Sequence, residues 1–237
     1  MKSITPKQIE SLATAQQYFH DCYILSSLGA LSRSPKGQKI LKNNILTNGK
    51  DFNIKFQNVN GKAEDYFVSE EEIYNLKFKD NNILCNYESP IVKSVELAMN
   101  KLLKKHPFKK PLLYRTMESQ QTFEYNKPSR FLELFTGQKP LTLNESSLSM
   151  SLLDKVHKAS EILMKIWEDK DSAFIAGTGI HFGKLPSWHC FEITNVNIPK
   201  NLFSVFDHRQ NQELQFPIIS GLIKFKFLTG YFGKDLK

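Results

Sequence analysis

The chain has 237 residues, enough for one large domain or two closely packed lobes around a sizeable core. With 41% hydrophobic and 24% charged residues, its composition is that of an ordinary soluble globular protein. It contains no apolar run of roughly 18 residues and no apolar segment near its first residue. We therefore expect neither a membrane span nor a classical secretory signal.

The net charge of +8 raises the question of a nucleic-acid partner. The lysines are scattered, however, and the densest stretch, KLLKKHPFKK, ends a predicted helix, where cations suit the helix dipole. No zinc-finger spacing, RNP-like motif or helix-turn-helix pattern accompanies them. We expect a solvated basic surface without nucleic-acid binding, and an acidic partner surface is the alternative.

Three cysteines, Cys22, Cys85 and Cys190, form an odd set without a CxxC pair. This pattern is typical of free thiols in a reducing compartment rather than of a disulfide framework. We expect a cytoplasmic location, and a protein exported into a host cytosol without a classical signal would share the pattern. At least one of the thiols is then a candidate reactive group.

The first part of the chain is predicted to be mainly helical. Apolar residues at helical spacing predict a short helix over residues 5–15 and a tightly buried helix over residues 22–31. A further helix is predicted over residues 37–43 after a Ser-Pro breaker. Two alternating runs around an Asn-Gly turn predict a hairpin over residues 51–68, and a short strand is expected near 83–86.

Three more helices precede a change of character in the last third. The first is predicted to begin near Pro90, the second to cover residues 128–136 and the third to cover residues 147–168. In each of them, apolar residues recur at helical spacing. The runs that follow are short, β-branched and aromatic, and Gly, Pro and Asn separate them. They predict an antiparallel sheet.

The order of these elements predicts a single α+β domain over residues 1–237. A mainly helical lobe is expected over residues 1–170 and a mainly β lobe over residues 171–237. A groove between the two lobes is the expected place for a site.

Cys22 is predicted to be the first residue of the buried helix, with Asp21 as its N-cap. At that position the helix dipole and free amide groups stabilise a thiolate and lower the pKa of the thiol. Cys22 is therefore the candidate nucleophile, and burial as a small hydrophobic residue is the alternative.

His189 and Asp207 are the candidate partners of this thiol. His189 opens one alternating run and Asp207 ends the next, and in an antiparallel pair such positions are neighbours. An imidazole base oriented by a carboxylate is the arrangement that activates a nucleophilic cysteine. His181 and His208 are rival bases, and His189 and Asp207 have structural alternatives at a strand start and in a turn.

An amide side chain upstream of Cys22 is a candidate oxyanion donor alongside the Cys22 backbone N–H. Spacing favours Gln16 over Gln17, and an exposed linker amide is the alternative. Trp188 is expected either to shield the bond between His189 and its carboxylate from water or to belong to the core.

Cys85 and Cys190 lie within strand patterns and are interpreted as structural. Strand alternation should turn Cys190 away from His189. Cys190, His181 and His189 lack a fourth ligand at usual spacing, so we expect no metal site, and we expect no cofactor.

The segment QQYFHDCYILSSLGAL, residues 16–31, resembles the active-site segment of calpain-type cysteine proteases. In that family a Gln stands six residues before the nucleophile, an Asp immediately before it and an aromatic residue just after it. Gln16, Asp21, Cys22 and Tyr23 match these positions. His20 replaces the usual Gly, and Tyr23 replaces the usual Trp.

The resemblance continues in the same order over roughly residues 10–210. PIVKSVELAMNKL and PSRFLELFTGQ resemble two helical segments of the family, and WHCFEITNV resembles the strand that its catalytic His opens. LFSVFDHRQN stands where the family carries its orienting Asn, so Asp207 takes that position. The Asn-Pro-Trp-Gly segment of the family has no counterpart, and its acidic calcium loops have no match. A Cys-His-Asp triad of this kind is known in bacterial effector enzymes of papain-like fold.

The resemblance implies a papain-like, calpain-core-like two-lobed fold and a thiol protease acting on protein substrates. Cys22 would attack a carbonyl carbon, His189 would act as base and then acid, Asp207 would orient His189, and Gln16 would help to hold the oxyanion. The same residues serve a glutamine deamidase or a transglutaminase, because the cleft determines the leaving group and the acceptor. A bacterial effector with a host protein as substrate is our expectation, and a non-catalytic binding module is the alternative from another class.

Overall fold

The computed structural model of the chain describes residues 1–13, 22–57, 61–75, 89–106, 128–144, 152–178, 185 and 189–235. The strand that the sequence predicts near residues 83–86 lies outside these ranges. Among the described helices, none combines the length and the apolar character needed to cross a bilayer.

The described part of the chain combines helices with two antiparallel sheets, which confirms the α+β class. The helices are α1 (Pro6–Leu12), α2 (Cys22–Arg33), α3 (Pro35–Asn44), α4 (Glu70–Tyr74), α5 (Pro90–Lys105), α6 (Pro128–Thr136), α7 (Leu152–Glu168) and α8 (Ile218–Leu222). The strands are β1 (Lys2–Ser3), β2 (Ile45–Thr47), β3 (Phe52–Gln57), β4 (Ala63–Val68), β5 (Leu141–Asn144), β6 (Ala173–Gly177), β7 (Cys190–Asn197), β8 (Leu202–Asp207), β9 (Gln212–Pro217) and β10 (Phe227–Tyr231).

Local capping determines where several helices begin. At α1, the side chain of Thr5 accepts a hydrogen bond from the backbone of Gln8, and the Gln8 side chain accepts one from the backbone of Thr5. At α3, Ser34 accepts a hydrogen bond from Gly37 N, and Pro35 takes the first helical position. The Ser-Pro pair that predicts a break therefore also starts the next helix, so α3 begins two residues earlier than expected.

The hairpin predicted over residues 51–68 is the pair β3–β4, and it lies within a larger sheet. Within the part of the chain that the structure describes, this sheet has four strands in the order β1-β2-β3-β4. Along β3, buried residues alternate with partly exposed ones, as expected for a strand with one face on the core. The two short strands β1 and β2 were not predicted, because pieces of two and three residues carry no readable alternation.

In the second sheet, the described residues form six strands in the order β5-β10-β6-β7-β8-β9, and all neighbouring pairs are antiparallel. Strand β5 belongs to the part of the chain predicted as mainly helical, yet it pairs with β10 at the edge of this sheet. Strands β6, β7 and β8 follow one another across the sheet. This arrangement places the start of β7 beside the end of β8.

Both faces of the six-stranded sheet are covered. On β6, Ala173 and Ile175 belong to the apolar cluster that contains α2, whereas Phe174 and Ala176 belong to the cluster that contains α7. The first cluster also includes residues of β3, α5 and α6. Helix α2 is enclosed on all sides as a result, and every residue from Cys22 to Ser32 is buried. A helix held in this way is a rigid support for its first residue.

Candidate active site

Cys22 is the first residue of α2, and its side chain is buried with only 7% of the residue exposed. One turn further along the same helix, the Ser26 hydroxyl donates a hydrogen bond of 2.9 Å to the backbone oxygen of Cys190. This bond joins the start of α2 to the start of β7. It directs the face of α2 that carries Cys22 toward His189 and Cys190.

His189 lies immediately before β7, and its backbone continues the pairing of β6 with β7. Thr178 N donates to the carbonyl oxygen of His189 at 2.9 Å, and His189 N donates to Oγ1 of Thr178 at 3.0 Å. The Phe191 ring meets the imidazole edge to face, with 4.7 Å between the ring centres. The backbone bonds and this ring contact together hold the imidazole in one orientation.

Asp207 is the last residue of β8 and has no exposed surface. Its Oδ1 lies 3.0 Å from Nε2 of His189. The same oxygen accepts hydrogen bonds from the backbone of Arg209 at 2.9 Å and of Gln210 at 3.3 Å. The sequence left open whether Asp207 closes a turn or orients His189, and in the structure one carboxylate oxygen contacts both the turn and His189.

The electrostatics of the site favour an ion pair between Cys22 and His189. Burial works against a charge on His189, but its hydrogen bonds with Asp207 and Cys22 outweigh burial and raise its pKa to about 9. Burial works against the ionised Asp207 carboxylate, but the hydrogen bond and charge of His189 together with the backbone donors of Arg209 and Gln210 outweigh it, so the pKa of Asp207 stays below its usual value. Since Nε2 of His189 is engaged by Asp207, Nδ1 is the ring nitrogen left for Cys22.

Cys190 contributes to the site in a way that the sequence did not reveal. The Cys190 thiol donates a hydrogen bond to Cys22, and this bond is the largest cause that lowers the pKa of Cys22 well below the usual value. Burial raises this pKa, and the contact with His189 lowers it further. The same bond, with burial, raises the pKa of Cys190, so Cys190 remains a protonated donor. Strand alternation was expected to turn Cys190 away from His189 into a structural role. The side of β7 to which Cys190 belongs faces α2, and there its thiol meets Cys22.

The rival base His208 has other contacts. It is fully buried, its Nε2 lies 3.3 Å from Oε2 of Glu192, and its ring packs against Phe206 with 5.0 Å between the ring centres. Among the described histidines, His189 is the one whose side chain contacts Cys22. Of the two histidines that the structure describes near this end of the sheet, His189 therefore has the geometry of a base.

Several predicted residues lie outside the described ranges: Gln16, Gln17, Asp21, Cys85, His181 and Trp188. The oxyanion role of Gln16 therefore stays a prediction, as do the capping role of Asp21 and the shielding role of Trp188. Within the described ranges, no group of three or more His, Cys, Asp and Glu residues is placed to hold a metal ion.

Comparisons with protein-family models and with curated proteins find no match for this chain. A functional assignment therefore depends on the geometry of Cys22, His189 and Asp207 and on the resemblance in the sequence around them.

Proposed function

We propose that this protein is a papain-like cysteine hydrolase that acts on protein substrates and forms an acyl-enzyme at Cys22. The observation that carries the proposal is the buried hydrogen bond of 3.0 Å between His189 and Asp207, next to a cysteine at the start of a buried helix. A helix N-terminus, an imidazole and a carboxylate in this order are what a thiolate nucleophile requires. The α+β architecture is compatible with the two-lobed papain-like fold that we propose with it.

The reaction begins with the ion pair already formed. The Cys22 thiolate attacks the carbonyl carbon of the substrate, and the backbone N–H of Cys22 with the Gln16 amide would stabilise the resulting oxyanion. His189 then donates its proton to the leaving amine, and the C–N bond breaks. In the second half, His189 takes a proton from a water molecule that attacks the thioester, and Cys22 leaves as a thiolate. Asp207 stays ionised throughout and keeps the imidazole aligned.

The amide that is attacked and the acceptor of the acyl group together separate the enzymatic alternatives. A glutamine side chain as substrate with water as acceptor gives deamidation, and an amine as acceptor gives a Lys–Gln crosslink. A non-catalytic binding module would keep the fold but would not need the ion pair between Cys22 and His189.

Both described cysteines, Cys22 and Cys190, are free thiols, which agrees with the reducing compartment, cytoplasmic or in a host cell, that we propose for the protein.

Alkylation tests the nucleophile without knowledge of the substrate. In the folded protein at neutral pH, iodoacetamide should modify Cys22 much faster than Cys190 or Cys85, as measured by peptide mass spectrometry. A Cys22→Ala variant provides the matched control for labelling of the other two thiols. Equal and slow labelling of all three cysteines in the wild type would contradict the proposed enzyme and favour the binding module.

A second experiment identifies the reaction. A lysate of candidate host cells is treated with wild-type protein or with Cys22→Ala, and the proteomes are compared. New protein termini that depend on Cys22 support the protease. Converted glutamine residues point to a deamidase instead, and Lys–Gln crosslinks point to a transglutaminase.

A further inference from the structure

A second group of charged side chains lies beside the site, centred on the fully buried carboxylate of Glu192. Arg33 donates a hydrogen bond from Nε to Oε1 of Glu192. The other carboxylate oxygen lies 3.3 Å from Nε2 of His208, which is also fully buried. Arg33 further donates from Nη2 to the backbone oxygen of Ala13 at 3.3 Å. None of these four residues belongs to the mechanism described above.

These contacts connect every described element that carries a residue of the proposed triad. Arg33 is the last residue of α2, whose first residue is Cys22. Glu192 follows His189 by three positions and is paired in β7 with Phe206 of β8. His208 directly follows Asp207. One carboxylate therefore holds the helix of the nucleophile against the two strands that carry the base and its orienting group.

Ala13 extends the same connection toward the predicted oxyanion donor. It follows the last residue of α1, and its backbone N–H bonds to Glu10 of that helix. Gln16 stands only three positions further along the chain. The Arg33 guanidinium thus ties Ala13, at the end of α1, to the buried carboxylate.

The close approach of α2 to Glu192 depends on a glycine inside the helix. A Cβ at position 29 would collide with the Glu192 carboxylate and would lie 3.0 Å from Nε2 of His208. Glycine is among the least favourable residues in a helix interior. Gly29 therefore weakens α2 locally and leaves the space that the carboxylate occupies.

Stability alone is a weak reason for such a network, because burying a carboxylate costs free energy that its partners only partly return. We propose that Glu192 is a positioning residue for the Cys22–His189–Asp207 site, through Arg33 on one side and His208 on the other. This inference rests on the proposed function. It predicts that loss of the Glu192 carboxylate loosens the alignment of Cys22 with His189 in a protein that is still folded.

The test uses two variants and one matched control. Glu192→Gln keeps the shape of the side chain but removes its charge, and Arg33→Ala removes the partner on α2. Glu96→Gln is the control, because Glu96 is another buried glutamate and belongs to α5, outside the network. Each variant is compared with the wild type by thermal unfolding and by the rate of iodoacetamide labelling of Cys22 across a range of pH.

A positioning role predicts a change in the pH profile, which a purely structural role would leave unaltered. In Glu192→Gln and Arg33→Ala, labelling of Cys22 at about pH 6 should fall at least about tenfold, because a small misplacement of reacting groups has effects of this size or larger. The inflection of the profile should move toward that of an ordinary thiol. Glu96→Gln should keep the wild-type profile, whatever its thermal stability.

Each outcome decides the question. Wild-type profiles in folded Glu192→Gln and Arg33→Ala overturn the inference, even when both proteins unfold at lower temperature. If Glu192→Gln does not fold, Arg33→Ala decides, since its side chain is 38% exposed and its truncation leaves no fully buried gap. Slow labelling of Cys22 in the wild type itself overturns the proposed function together with this inference, whereas fast wild-type labelling with unchanged variants overturns the inference alone.

Discussion

Removal of the Cys190 thiol should make Cys22 less reactive without touching His189, the proposed base. The structure gives the hydrogen bond from Cys190 as the largest cause of the lowered pKa of Cys22. A hydrogen bond to a charged group contributes about 1.5–3 kcal/mol, and about 1.4 kcal/mol corresponds to a factor of ten. In Cys190→Ala the thiolate fraction of Cys22 at mildly acidic pH should therefore fall about tenfold or more.

The assay is the rate of iodoacetamide labelling of Cys22 as a function of pH. The Cys190→Ala variant should lose reactivity at about pH 6 and recover it near about pH 10, where an ordinary thiol is also ionised. Cys190→Ser is the matched control, because its hydroxyl still donates a hydrogen bond in a side chain of similar size. It should lose less reactivity than the alanine variant.

Two results would refute this reasoning. One is a Cys190→Ala profile that coincides with the wild type at every pH. The other is an equal loss in the alanine and serine variants, which would trace the effect to packing around Cys22 rather than to the donated hydrogen bond.

Three further predictions concern Asp207, His189 and Gly29. Asp207→Ala removes the oxygen that accepts hydrogen bonds from His189 and from the following turn, so the free energy of unfolding should fall by about 2–3 kcal/mol in denaturant titrations. Asp207→Asn keeps an acceptor oxygen and should lose less. In the folded protein the pKa of His189 is raised from about 6.5, its value in the unfolded chain, to about 9. Protonated His189 therefore stabilises the fold fully below about pH 6.5, and this contribution is lost as the pH rises through about 9. The difference in melting temperature between wild type and His189→Ala should therefore shrink over that interval, and a constant difference would contradict the charged pair. Alanine favours helices more than glycine does, but in Gly29→Ala the new methyl group would collide with Glu192. The variant should therefore be less stable by about 1–3 kcal/mol in denaturant titrations. A more stable variant would contradict the close packing.

The sequence predicted the elements whose signals are local. The hairpin of β3 and β4 and the helices α5 and α6 have the expected places, because Pro90 starts α5 and the turn at Gly137 ends α6 with a φ of 73°. Strand β5 was missed because four residues beside a helix show no clear alternation. Its partner β10 lies far along the chain, and no local pattern identifies such pairing.

Strand geometry made one part of the candidate site predictable, namely the neighbourhood of His189 and Asp207. The antiparallel order of β7 and β8 predicts that His189 and Asp207 are neighbours, and the structure places their side chains 3.0 Å apart. The role of Cys190 was not predictable, since alternation gives the side of the strand but not the element that covers it. That element is α2, and only the tertiary packing shows it.

The spacing of small and polar residues on α2 matches the spacing of Cys190 and Glu192 on β7, and this match accounts for the contacts between the two elements. Cys22, Ser26, Gly29 and Arg33 recur at intervals of four, three and four residues, which places them on one face of the helix. Cys190 and Glu192 recur at an interval of two on one face of β7. In the structure, Cys22 and Ser26 contact Cys190, whereas Gly29 and Arg33 contact Glu192.

This match explains why Ser26, Gly29 and Arg33 stand where they do. Leucine at position 26 or 29 would suit a buried helix better, but it would separate α2 from β7 and move Cys22 away from His189. The contacts that pack α2 onto β7 therefore also set the position of Cys22. A substitution at Gly29, two turns from Cys22, should for this reason change the pH profile of Cys22 labelling as well as the stability of the protein.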